Sequence, residues 1–186
     1  MGNLVPALLS LPVGVVGACM MIQSGSLGGA GLIVLGLFPI VAWTAVNYFG
    51  LFENGRMRQE MELKLRAAHS DLSSSIYFVG IATPGYVSSL DPHEDVGFLI
   101  VNPLHLEFFG DKLNINVKKS VIAEVRFRPN VHTALGLGRW ISVEGVAEGQ
   151  PIRLMIEVRE CPTLLANKRL SKKVLSTLQT WLEASK

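Results

Sequence analysis

The sequence predicts a membrane-anchored α+β chain: two N-terminal transmembrane helices, then a seven-stranded antiparallel barrel or sandwich with a C-terminal capping helix. Three observations carry that expectation. No Asp, Glu, Lys, Arg or His precedes Glu53, so all 17 Lys and Arg and all 15 Asp and Glu fall in the remainder of the chain. From Ile76 onward, apolar and polar residues alternate over short segments separated by turn residues, which is the period of strands. After Pro162 the period becomes that of a single amphipathic helix. The chain divides accordingly into a hairpin over 1–52, a charged helical linker over 53–75 and a cytoplasmic domain over 76–186.

The hairpin follows from the solvent that each segment demands. Leu4 to Ile22 and Leu27 to Phe49 are uncharged runs of 19 and 23 residues, and a bilayer core of about 30 Å takes about 20 helical residues. Gln23-Ser24-Gly25-Ser26 between them is a polar turn. Arg56, Arg58, Lys64 and Arg66 follow the second run closely, whereas the turn and the N-terminus carry no cation, so both termini are expected in the cytoplasm. The first run lacks the basic flank of a cleaved signal peptide and leads straight into a second span. Pro6, Pro12 and Pro39 interrupt the apolar runs. Kinked helices that cross, and a hairpin that enters one leaflet and returns, both satisfy this pattern. Gly14, Gly17, Ala18, Gly25, Gly28, Gly29 and Gly31 permit close approach of the two helices, within the hairpin or at a dimer seam. No ionisable group lies inside either run, which argues against an ion path.

From Glu53 to about His69, Met57, Met61, Leu63 and Leu65 form an apolar stripe among charged residues. The segment reads as a stalk continuing the second span, or as a hinge at Asn54-Gly55 with a surface-lying helix. After the polar break at 70–75, seven strands are expected: 76–82, 96–101, 104–108, 113–117, 123–128, 139–146 and 152–158. Ala123, Val125 and Phe127 are expected to face the core, opposite Glu124, Arg126 and Arg128. Leu170, Val174, Leu175, Leu178, Trp181 and Leu182 then share one face of the closing helix.

Several residues sharpen the pattern. Asp95-Val96-Gly97-Phe98-Leu99-Ile100, followed by Leu104-His105-Leu106-Glu107-Phe108-Phe109-Gly110-Asp111, resembles the second and third strands of pleckstrin-homology domains, including their bacterial and GRAM-type relatives. Trp181-Leu182-Glu183-Ala184 resembles the aromatic anchor of their closing helix. The resemblance covers about residues 76 to 184 and implies binding of lipid headgroups or proteins. The phosphoinositide-binding version is not implied, because the loop Thr83 to Asp95 has no Lys or Arg and carries Asp91, Glu94 and Asp95.

No catalytic set, metal set or cofactor site is expected from the residues. Cys19 and Cys161 fall in different compartments and read as small buried hydrophobes. Asp91-Pro92-His93-Glu94-Asp95 holds three carboxylates and an imidazole, but its spacing lacks the Gly and later Glu of an EF-hand, so it reads as a solvated turn. His69, His105 and His132 are isolated. A net charge of +2 argues against a nucleic-acid partner. The candidate contacts with lipid or a partner are cations: Lys168, Arg169, Lys172 and Lys173 early in the last helix, where they oppose its dipole, and Arg126, Arg128 and Arg139 around the loop Pro129 to Gly138. The expected function is a non-enzymatic, membrane-tethered interaction or scaffold module, binding a protein or a second copy of itself. An accessory subunit bound through its hairpin and a lipid-headgroup-binding module are the alternatives. The membrane that fits is a bacterial inner membrane, with anionic lipid as a further partner.

Overall fold

A computed structural model describes residues 4–24, 29–68, 75–86 and 93–184. The turn residues Gly25 and Ser26, the polar break at 70–74, His69, and Asp91 with Pro92 lie outside the described residues.

The first two elements are α1 (Leu4–Ser24) and α2 (Ala30–Phe49). Both are long and apolar enough to cross a membrane. They pack as an antiparallel pair through glycine. A Cβ on Gly17 would stand 2.7 Å from the Leu35 amide nitrogen, and one on Gly31 would stand 2.8 Å from that of Met21. The small-residue seam is therefore used inside the hairpin, where only hydrogen fits between the backbones. Their outer faces carry large exposed apolar residues such as Leu8, Val15, Ile33 and Ile40.

The charged segment folds as α3 (Asn54–Ala68). It is a layer of the domain: Met61 and Leu65 are buried, and with Met57 they cover Phe78, Val96, Phe98 and Ile100. Leu63 departs from the expected stripe and is 72% exposed. Two residues of helix turn it about 200° away from Met61.

The strands are β1 (Ser75–Ala82), β2 (Asp95–Val101), β3 (His105–Gly110), β4 (Asn114–Lys118), β5 (Ile122–Arg128), β6 (Trp140–Ala147) and β7 (Gln150–Val158). They form one antiparallel sheet in the order β4-β3-β2-β1-β7-β6-β5. Its inner face gathers Val79, Ile81, Leu99, Leu106, Phe108, Ile141, Val143 and Ile156, and is covered by α4 (Leu164–Glu183) through Val174, Leu178 and Leu182. Thr163 caps α4 by accepting the Ala166 amide at 3.3 Å. The chain is thus α+β, with a seven-stranded antiparallel sheet, a C-terminal helix and two apolar N-terminal helices.

Three details depart from a simple alternation. β2 is buried at every position, because α3 covers the face that would otherwise meet water. In β5 a register shift between Ile122 and Glu124 places Ile122 in the core and leaves Ala123 exposed, since one extra residue reverses the side-chain phase upstream of it. Leu104 belongs to the turn before β3 and is 77% exposed.

Because Met61 is 4% exposed beneath the sheet's outer face, Met61→Ala is expected to destabilise the domain by about 2–4 kcal/mol. Exposed Leu63→Ala is expected to change stability by less than about 0.5 kcal/mol. Chemical unfolding of the two variants in the same detergent compares them directly.

Candidate functional site

Three groups of polar side chains stand out, and each fastens one part of the chain to another. The first joins α2 to the domain. Leu51, Leu137 and Leu164 form a separate apolar cluster, flanked by Trp43, Val46 and Leu165. Hydrogen bonds fix its orientation. Trp43 Nε1 donates to the Leu135 carbonyl at 3.0 Å, and Asn47 Oδ1 accepts the Leu165 amide at 2.9 Å. The second bond satisfies a first-turn N–H of α4 that has no partner within its own helix. One turn beyond α2, the buried Asn54 exchanges two bonds with Arg159: Nδ2 donates to its carbonyl at 2.5 Å, and Arg159 Nε donates to Oδ1 at 2.9 Å.

The second group lies behind the loop that meets Trp43. Glu157 of β7 is buried, and its carboxylate faces three neighbours. Asn130 Nδ2 donates to Oε1 at 2.7 Å, and His132 Nδ1 lies 3.2 Å from the same oxygen. His93 Nε2 lies 2.8 Å from Oε2. Two glycines make the space: a Cβ on Gly80 would overlap His93 Cδ2, and one on Gly138 would stand 2.6 Å from Glu157 Oε1. Trp140 meets the His93 ring edge-on at 5.4 Å. Burial pushes the Glu157 carboxyl up, but the two imidazoles outweigh it and the net shift is downward. Chemically this is a buried carboxylate clamp joining β7, the residues before β2 and the β5–β6 loop. The loop is tied further by Thr133 Oγ1 donating to Gly138 O at 2.9 Å and Lys168 Nζ donating to Gly136 O at 2.6 Å.

The third group is centred on Glu144 of β6. Arg128 holds it in a two-pronged pair at 2.5 and 3.0 Å, Arg126 reaches it at 3.0 Å, and Ser142 Oγ donates at 2.7 Å. The Arg128 hydrogen bond is the main reason the Glu144 carboxyl lies well below its ordinary value; burial opposes it, and Arg126 and Ser142 add to it. The candidate cations therefore separate. Arg126 and Arg128 converge on Glu144, and Arg139 stacks 4.2 Å over the Phe127 ring. Lys168 is spent on the Gly136 carbonyl. Arg169, Lys172 and Lys173 share an exposed face of α4, being three and four residues apart.

Within the acidic stretch, the described residues His93, Glu94 and Asp95 are structural rather than part of a solvated turn. His93 and Asp95 are 6% and 5% exposed. Asp95 Oδ2 accepts the Lys112 and Leu113 amides at 2.8 Å each, and Glu94 Oε2 accepts the Thr83 hydroxyl at 2.6 Å. These donors draw the side chains to different points, and among the described residues no three His, Cys, Asp or Glu converge on a metal position. Cys19 is exposed on α1 rather than buried. Concavities among the described residues include a 290 Å³ recess between α3 and the start of β2 near Lys64, His93 and Glu94, and an apolar groove of 810 Å³ between β4 and the β6–β7 hairpin near Ile115, Val117 and Ile152.

Glu157 and the docking pair Trp43 and Asn47 are the residues that sequence reasoning misses. Asn47 carries a signal, as an amide inside an otherwise apolar span. Glu157 carries another, as a carboxylate between Ile156 and Val158. Comparison with protein-family models finds no matching family, and comparison with curated proteins finds no match.

Glu144 gives a pH prediction. Its folded value lies below the ordinary 4.5 to which it returns on unfolding. Its contribution is therefore complete above that pH and is lost as the pH falls through the folded value. Thermal midpoints measured from neutrality down to about pH 3 are expected to decline, and Glu144→Gln is expected to show a lower neutral midpoint with a shallower decline. Glu157 has the same sign, so some acid sensitivity persists in the variant.

Proposed function

We propose that this chain is a non-enzymatic, membrane-tethered interaction module of the bacterial inner membrane. Its hairpin crosses the bilayer with both termini cytoplasmic, and a domain of the pleckstrin-homology type binds a protein partner or a second copy at the inner face. The observation that carries the reading is the dock between the last turns of α2 and the domain, made by Leu51, Leu137 and Leu164 with the Trp43 and Asn47 hydrogen bonds. A domain held this way has one fixed attitude to its anchor, which suits a platform more than a freely swinging ligand trap. Arg56, Arg58, Lys64 and Arg66 beside the span support the orientation. The strand order, with a single helix after the last strand, supports the fold family. A binding role rather than a catalytic one is supported by the use of Glu144 and Glu157 as clamps.

The alternative is an accessory subunit that joins a larger complex through its hairpin, favoured by the large apolar residues on the outer faces of α1 and α2. The two readings separate in a chimera that replaces residues 4–41 with an unrelated hairpin and keeps Trp43 to Leu51 intact. The mass of the chimera in native nanodiscs is expected to match that of the full chain, with any oligomer or bound partner retained. Loss of assembly while the domain stays folded would transfer the binding role to the hairpin.

A further inference from the structure

We infer that the Pro129–Gly138 loop is a lipid-contacting wedge. Val131 and Leu135 enter the interfacial layer of the bilayer that holds the hairpin, and Arg169, Lys172 and Lys173 lie beside them over anionic headgroups. The inference rests on α1 and α2 being embedded in that bilayer.

Depth is the first argument. The Leu135 carbonyl is bonded to Trp43, six residues before the end of α2 at Phe49. At 1.5 Å per residue, that contact lies about 9 Å back along the helix, toward the membrane interior. Interfacial elements bury their apolar side chains by about 5–10 Å. Aromatic residues are spaced along the same stretch, from Trp43 through Tyr48 and Phe49 to Phe52, with Tyr48 and Phe52 58% and 70% exposed. Trp and Tyr concentrate where headgroups meet acyl chains.

The loop's backbone is the second argument. A chain entering an apolar layer must satisfy its own polar groups. Within the tip the Thr133, Gly136 and Leu137 amides donate to Asn130, Thr133 and His132 carbonyls. The Leu135 and Gly136 carbonyls accept from Trp43 and Lys168. Beside the exposed Thr133, whose hydroxyl is bonded within the loop, the loop shows apolar side chains outward: Val131 is 60% exposed and Leu135 44%. From behind, His132 and Asn130 are held by Glu157, so the tip keeps its shape without the lipid.

Charge is the third argument. Arg169, Lys172 and Lys173 follow Lys168, whose ammonium already touches the loop. They stand exposed on the second and third turns of α4, where like charges at this spacing oppose one another. Anionic headgroups supply the compensating charge.

The test uses the full chain in nanodiscs with Cys19→Ser and Cys161→Ala, carrying an environment-sensitive fluorophore at Leu135→Cys, at Ile33→Cys or at Leu104→Cys. Lipids brominated at shallow or deep acyl positions act as quenchers. The label at 135 is expected to be blue-shifted and quenched by shallow bromines, the label at 33, three residues inside the other end of α2 at Ala30, quenched as well, and the label at 104 unquenched. A label at 135 that behaves like that at 104, or is blue-shifted without quenching, overturns the wedge while a quenched 33 preserves the membrane reading. An unquenched 33 overturns both. Adding phosphatidylglycerol to phosphatidylcholine is expected to increase quenching at 135, and the combined Arg169→Glu, Lys172→Glu and Lys173→Glu variant is expected to lose that increase. An unchanged response in the triple variant overturns the role given to the cations.

Discussion

The packing of Leu51 against Leu137 and Leu164 is the contact on which the rest of the arrangement depends. It is small, but it couples the end of an apolar helix to the start of α4 and to the tip of the β5–β6 loop. A purely apolar contact would allow rotation about the helix axis, because burial has no preferred direction. Trp43 and Asn47 remove that freedom, since each bond requires one azimuth of α2 and one loop conformation. Arg159 and Asn54 then fix where α3 departs, and α3 in turn seals the outer face of β1 and β2.

The buried clamp at Glu157 follows from the same requirement. A ten-residue loop beside α2 keeps one conformation only if something inside the domain holds it. Taking a carboxylate out of water is costly unless its lone pairs are answered. Asn130 and His132 answer from the loop, and His93 answers from the far side. The glycines at 80 and 138 are the spatial condition for that answer. Glu144 works differently: it lies nearer the surface and organises arginines from β5 and β7, which otherwise would repel one another across the sheet.

Much of the architecture was legible because it is periodic. The uncharged runs, the seven strands and the apolar face of α4 all repeat at a fixed spacing, and the structure places them close to their expected bounds. What escaped the sequence is not periodic. β2 looked like any strand with one buried face, and only the seating of α3 shows that Phe98 and Ile100 are covered as well. The bulge at Ile122 changes which residues face inward without changing composition. His93, His132 and Glu157 are scattered through the chain, and no local spacing announces that the fold brings them together. The cations at 126, 128, 168, 169, 172 and 173 were visible as a group, but only geometry divides those held by the protein from those left exposed.

The separation in sequence between the docking partners bears on how the chain is made. Trp43 waits for a carbonyl 92 residues later, Asn47 for an amide 118 residues later, and Asn54 for Arg159, 105 residues on. Synthesis from the N-terminus completes the hairpin while those partners are still inside the ribosome or not yet translated. The apolar hairpin is therefore complete as an independent unit first, with Asn47 still lacking its partner at the end of α2. The dock closes only after β5, β6, β7 and the start of α4 have folded, so its formation records that the whole domain has been built.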